Sequence, residues 1–511
     1  MHRCYGLLLH ISSLPSAWGI GDLGPAAHAF AAMLAANGAG VWQFLPLNPT
    51  SIVIGNSPYS SLSAFAGNPI FISPEFLLRD GYLGYDDLDA SFSAIPSGRL
   101  VESVSQVNYE AVTAHRSFLL NAAYARSAPS LAGHREYSEF CRQHDYWLHD
   151  YARFVTMKKT FGGVAWNFWP FELAGRDAAA LSEWDEQHIQ EMEREKFIQF
   201  LFFSQWQELR RVCNGSGIKL MADIPIYVTH DSVDVWSHPE YFKLDEGMQP
   251  VCVSGVPPDY FSLEGQRWGT PVYRWDVIEK DDFDWWKKRL GHTLLTADMA
   301  RLDHFRGFCG YWEIPATEQT AVRGEWRCAP AASFFQAIQK HFGCLPFIAE
   351  DLGIITPDVR EVMAEFNLLG MHVLQFAFSG EAFARNPDIP HAHTARSVVY
   401  TGTHDNATTR DWFAGIVELE KNNLSSYAGV PVSSETASRV LTRLAFASVA
   451  DCAILPVQDA LNLGKEGRMN TPGIGEGNWT WRLAPGQLEE GSLAWLQNLA
   501  HTYGRLPEDH T

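Results

Sequence analysis

Met299-Ala-Arg301-Leu-Asp303-His-Phe-Arg306-Gly-Phe308 begins as a buried strand and then crowds charged groups towards its far end. A half-buried strand alternates apolar and polar residues, whereas a strand covered on both faces is apolar throughout. Polar side chains gathered at one end of an apolar run mark the place where the strand leaves the core. Working outward, apolar runs of the same kind recur at residues 4–11, 41–47, 218–228, 347–351, 371–378, 398–405 and 452–458. Helical patterns separate several of them, at residues 25–37, 194–212, 331–341, 357–366 and 434–449. Strands that alternate with helices make parallel βαβ units, so the pattern predicts an α/β fold, a closed (β/α)8 TIM barrel.

The acids at the ends of these runs point to function. Asp223, Asp303, Glu350, Asp405 and Asp459 all fall within or just past the C-terminal part of a run. A single acid in that place is ordinarily a helix cap. In a barrel, however, the C-terminal strand ends form the catalytic face, so these carboxylates are expected to converge on one mouth. Two connections, residues 48–217 and 229–298, are too long for plain βα loops. Both are aromatic-rich and read as ordered insertions forming subdomains over that face. The expected organisation is one barrel over 1–511, with a mostly helical insertion at 70–216 between strands two and three and a second at 229–298 between strands three and four.

Composition narrows the partners. With 46% hydrophobic and 19% charged residues, the 511-residue chain has enough apolar material for a large core. A net charge of −20 disfavours nucleic acid and other polyanions. No apolar run reaches membrane-spanning length, and the short N-terminal run is broken by His10, which argues against a signal peptide. The eight cysteines are scattered without a C-x-x-C pair, which argues against a disulfide scaffold or a zinc site and suits a reducing cytoplasm. Neutral, flat substrates remain open, and 18 Trp with 17 Tyr hint weakly at stacking, since aromatic residues usually belong to the core.

Four motifs need weighing. Gly19-Ile-Gly21-Asp-Leu-Gly24 matches G-x-G-x-x-G, but the loop is long and residues 40–47 carry no acid, so the stretch reads as a turn that starts a helix with Pro25 near its first position. Around Asp303, the guanidinium groups of Arg301 and Arg306 either form a buried ion pair with it or keep a nucleophilic carboxylate ionised. Glu350, closing the fifth run, is either a poor helix cap or a general acid whose pKa is raised by a second carboxylate and apolar surroundings. Two such carboxylates on adjacent strands are what glycoside chemistry requires. His404-Asp405 lacks further residues at metal-ligand spacing and suits hydrogen bonding to sugar hydroxyls better.

At this point the sequence resembles the amylomaltases, the 4-α-glucanotransferases or disproportionating enzymes of the α-amylase clan. The likeness runs from about residue 6 to 482. Besides the segments above it rests on Gly55-Asn-Ser-Pro-Tyr59, Ala222-Asp223-Ile-Pro-Ile-Tyr-Val228, Gly255-Val-Pro-Pro-Asp-Tyr260-Phe261-Ser262, Gly265-Gln-Arg-Trp268-Gly269, Arg468-Met-Asn470-Thr-Pro472-Gly473 and Asn478-Trp479. The resemblance implies a retaining transferase of α-1,4-glucan segments that works without cofactor or metal. Its implied catalytic residues are Asp303 as nucleophile, Glu350 as acid/base and Asp405, which with His404 holds the donor sugar. It further implies Arg301 and Asp223 beside the nucleophile and Tyr59 stacked on the donor. Trp268, Tyr260 and Phe261 would contact the acceptor from a lid loop within 229–298. The expected partners are α-1,4-glucan donors with glucose or maltooligosaccharide acceptors, no nucleic acid and no membrane, the chain acting as a monomer or homodimer. Two departures, Ser262-Leu-Glu-Gly265 in the lid and Ala407 after His-Asp-Asn, bear on acceptor and chain-length preference. A hydrolase of the same clan, a catalytically inactive glucan-binding protein and a metal-dependent barrel hydrolase are the alternative readings.

Overall fold

In the first strand, residues 5–8 are buried and only Cys4 at its start is half-buried, as a continuous apolar run requires. The structure, a computed structural model, describes residues 3–95, 100–101, 103–258, 262–353, 355–489 and 491–507. Its strands in chain order are β1 (Cys4–Leu8), β2 (Val41–Gln43), β3 (Lys219–Ile224), β4 (Cys252–Val256), β5 (Gln266–Pro271), β6 (Met299–Leu302), β7 (Gly310–Pro315), β8 (Glu325–Cys328), β9 (Phe347–Ala349), β10 (Gly370–Val373), β11 (Ser397–Tyr400) and β12 (Cys452–Pro456).

Eight of these strands form one parallel sheet in the order β10-β11-β12-β1-β2-β3-β6-β9. The ring closes where Ile348 bridges Leu369 and the Ala349 N–H donates to the Leu369 carbonyl at 2.7 Å. The fold is thus the expected (β/α)8 barrel. Gly6 lies where β1 meets β2, opposite Val41. A Cβ there would come within 2.6 Å of the Val41 carbonyl oxygen, so only glycine fits without moving the strands apart. Inside the barrel the Tyr400 hydroxyl reaches across to Gln43 Oε1 at 2.9 Å, which satisfies two buried polar groups at once.

The strands are shorter than the apolar runs. The run 299–308 is a strand only as far as Leu302; His304 then takes a left-handed conformation (φ 50°) and Phe305–Phe308 form a buried 3₁₀ turn. The run 371–378 likewise divides into β10 and the 3₁₀ turn Leu374–Phe376. Apolarity reports burial, and a buried turn is as apolar as a buried strand. The glycine-rich stretch is a turn before the helix Pro25–Ala36, where the Asp22 carboxylate accepts from the Gly24 N–H at 2.9 Å. A Cβ at Gly21 would lie 2.0 Å from the Ile11 carbonyl oxygen, so close packing explains that glycine.

Between β2 and β3 the chain passes through the helices Tyr109–Leu131, Arg135–Gln143 and Asp145–Thr160 before the long helix Ile189–Gly215 leads into β3. A second sheet, additional to the expected barrel, has the antiparallel order β5-β4-β7-β8. It joins the segment 229–298 to the connection after β6, where β8 is exposed at all four positions and so carries no alternating pattern. Trp42, Trp166, Trp206, Trp236 and Trp286 are sealed in the core, whereas Trp268 on β5 is 39% exposed. Most of the aromatic excess therefore serves packing. No helix among the described residues is long and apolar enough to cross a membrane.

Candidate active site

Arg301 points inward from β6 and organises the mouth of the barrel. Its Nη1 lies 2.8 Å from both carboxylate oxygens of Asp223 on β3 and 2.8 Å from Oδ1 of Asp303. The Tyr59 hydroxyl, from the loop after β2, donates to Asp223 Oδ2 at 2.7 Å. Tyr59 stacks in turn on His404, with ring centroids 5.2 Å apart and 12° between the planes. Burial opposes the charge on Arg301, but Asp223, Asp303 and Glu350 together outweigh it and hold the guanidinium well above its usual range. Burial pushes Tyr59 upward as well, reinforced by Asp223, so its phenol stays protonated.

Glu350 follows β9, and both of its oxygens are held by main chain. Oε2 accepts from the His304 N–H at 2.8 Å and Oε1 from the Leu352 N–H at 3.1 Å. Burial pushes the Glu350 carboxyl up to about 8 against the pull of Arg301, and the neighbouring Asp303 adds to the rise. Burial also raises Asp303, to about 7, but Arg301 donates to it directly. With 27% of its side chain open to the cavity, Asp303 is further stabilised as an anion by water. The two carboxyls interact, so they give up their protons as a pair.

A cavity of about 450 Å³ opens over these groups. Asp303, Glu350, Asp405, Arg301, Tyr59 and Trp268 all line it. Asp223 sits beneath it, reached through Arg301 and Tyr59, and His404 lies behind Tyr59 with Nε2 3.3 Å from Asp405 Oδ2. Burial lowers His404, which leaves its imidazole neutral. Tyr260 and Phe261 lie outside the described residues. The expectation for Asp459 needs correcting. Its carboxylate is sealed away from the mouth, accepting from the hydroxyls of Thr401 and Thr409 at 2.6 Å each and from the Thr409 N–H at 2.7 Å. Among the described residues no three of His, Cys, Asp and Glu are grouped as metal ligands.

Two carboxyls that follow neighbouring barrel strands and face one cavity are the arrangement that acetal chemistry uses. The family model described as 4-alpha-glucanotransferase, glycoside hydrolase family 77, matches residues 9–488. The chain belongs to the 4-α-glucanotransferase family. The 4-alpha-glucanotransferases of Synechocystis sp. and Thermus thermophilus are each 44% identical to it, the first over 98% and the second over 99% of both chains. The solved amylomaltase from Streptococcus agalactiae in complex with acarbose superposes with a TM-score of 0.93 at 36% identity, covering 99% of this chain and 100% of that one.

Several further residues of this glucanotransferase cleft escaped the site reading. Asn470 donates to Asp405 Oδ1 at 2.6 Å from a loop 65 residues further along the chain. Its segment carried the family likeness, but nothing local linked it to Asp405. Phe376, 38% exposed at the cavity, is indistinguishable in sequence from the core residues beside it. His304 shows no sign in the sequence that its main chain turns left-handed.

Proposed function

We propose that this glucanotransferase moves a segment of an α-1,4-glucan to the 4-hydroxyl of another glucan or of glucose through a covalent glycosyl-enzyme. Asp303 attacks the anomeric carbon while Glu350 protonates the departing glycosidic oxygen. Glu350, now ionised, removes the proton from the incoming 4-hydroxyl, which displaces Asp303 and restores the α-linkage. Asp405, oriented by Asn470 and His404, accepts hydroxyls of the donor sugar and favours its distortion towards the transition state. Tyr59 offers its ring to that sugar, and Asp223 holds Arg301 against the nucleophile. The segment 229–298 acts as a lid on the acceptor side, with Trp268 as an aromatic shelf, and 70–216 forms a helical subdomain.

The observation that carries this reading is the geometry of the pair: Arg301 donates to Asp303, main-chain N–H groups hold Glu350, and both carboxyls face one cavity. The scattered, unpaired cysteines favour work in a reducing cytoplasm. The test is incubation with maltotriose followed by chromatography. Glucose and a ladder of longer maltooligosaccharides are expected, with the number of reducing ends almost constant. Steady growth of reducing ends without products longer than the substrate would make the enzyme a hydrolase instead.

A further inference from the structure

We infer that His304 is a positioning residue for Glu350 and acts through its main chain, whose N–H donates to the carboxyl group while the left-handed turn brings the next N–H, that of Phe305, back to the Glu350 carbonyl. The inference rests on Glu350 being the acid/base. His304 has φ 50° and ψ 53°, a region that a residue with a Cβ enters only under constraint. In that conformation its N–H reaches Glu350 Oε2 at 2.8 Å. The surrounding main chain locks the two segments together: the Glu350 N–H donates to the Leu302 carbonyl at 3.0 Å and the Phe305 N–H to the Glu350 carbonyl at 3.2 Å. With the Leu352 N–H on Oε1, the plane of the carboxyl group is set before any sugar arrives.

Two neighbours hold the strained residue in place. Trp268 meets the imidazole in a T-shaped contact, centroids 4.7 Å apart and planes at 90°. On the other side the chain turns back at Gly307, where a Cβ would stand 3.1 Å from His304 Cδ2 and 2.8 Å from Ile226 Cδ1. The imidazole is thus clamped between the acceptor-side strand β5 and its own turn. Burial, with Arg306 in support, lowers it to about 4, so it carries no charge near neutrality and is not itself the proton donor. Among the described residues, the charged groups that act most strongly on Glu350 are Arg301 and Asp303.

The test separates backbone from side chain. His304→Gly and His304→Asn both lose the imidazole but tolerate a positive φ, whereas His304→Val is strongly disfavoured there. A main-chain donor stabilises the ionised carboxylate, so losing it raises the Glu350 pKa. His304→Val is therefore expected to move the alkaline limb of kcat to higher pH and to lower turnover of natural glucan at least about tenfold. Fluoride release from an α-maltosyl fluoride donor, whose leaving group needs no proton, is expected to change far less. Glycine and asparagine should keep the wild-type alkaline limb. If the valine variant does not fold, His304→Ala against His304→Gly makes the same comparison. Equal shifts in all variants, or no shift with valine or alanine, would overturn the inference. Glu350→Gln serves as the control: wild-type transfer of natural glucan by that variant refutes the acid/base assignment itself, whereas its loss alongside a flat His304 series refutes only the role of His304.

Discussion

Asp303 and Glu350 are both carboxyls at strand ends, and the proposed mechanism gives them different work. Asp303→Asn keeps the shape and removes the attacking anion, so turnover should fall more than about 10⁴-fold while the far-ultraviolet circular dichroism is unchanged. Glu350→Gln should lose about 10²–10⁴-fold on natural glucan and spare the first step with a glycosyl fluoride. The pH dependence follows from the same pair. On the proposed mechanism activity needs Asp303 ionised and Glu350 protonated, so kcat/KM should rise with pH through the first group and fall through the second. Burial pushes Asp303 up to about 7 and Glu350 up to about 8, so both limbs are expected above the ordinary carboxylate range. Arg301→Gln removes the cation that favours the Asp303 anion, and the acid limb should move to higher pH. An acid limb left in place would show that Arg301 does not set that ionisation.

At the level of elements, Asp459 shows why a strand-end acid is not by itself a catalytic one. Its carboxylate ties the residue after β11, Thr401, to the first turn of the helix Thr409–Gly415, accepting the Thr409 N–H at the helix N-terminus. Negative charge is favoured there by the unpaired N–H groups and the helix dipole. Asp459→Ala leaves three buried donors without their acceptor and should cost about 2–4 kcal/mol of stability. The midpoint of urea unfolding should fall, while the two limbs of the pH–rate profile stay where they are. A variant with normal stability and shifted limbs would place Asp459 in the chemistry after all.

For the whole molecule, the proposed mechanism makes the balance between transfer and hydrolysis depend on how the insertions meet the barrel. Trp268 stands on β5, a strand of the antiparallel sheet and not of the barrel, yet it lines the cavity that holds Asp303 and Glu350. A bound acceptor competes with water only if its hydroxyl is held in attack position, where effective concentrations reach about 10⁵–10⁸ M. Trp268→Ala removes the shelf and should raise the ratio of hydrolysis to transfer, read as reducing ends released per longer oligosaccharide formed. An unchanged ratio would mean that Trp268 does not hold the acceptor.

The sequence by itself determined the barrel and the placing of Asp303 and Glu350 at two of its strand ends. Eight apolar runs alternating with helices leave few other ways to bury that surface, and chain direction alone sends every C-terminal strand end to one face. Asp303 and Glu350 were legible because each directly follows a barrel strand, β6 and β9, which are hydrogen-bonded neighbours. Tertiary structure alone decided which of the other acids reach the cavity. Asp405 faces it and meets Asn470, whereas Asp459 turns aside to two threonines, and both outcomes depend on contacts many residues away in the chain. The left-handed turn at His304 and the exposed strand β8 were equally hidden, since neither leaves a periodic trace. Local pattern encodes burial and direction; which side chains finally meet is settled by packing between segments distant in sequence.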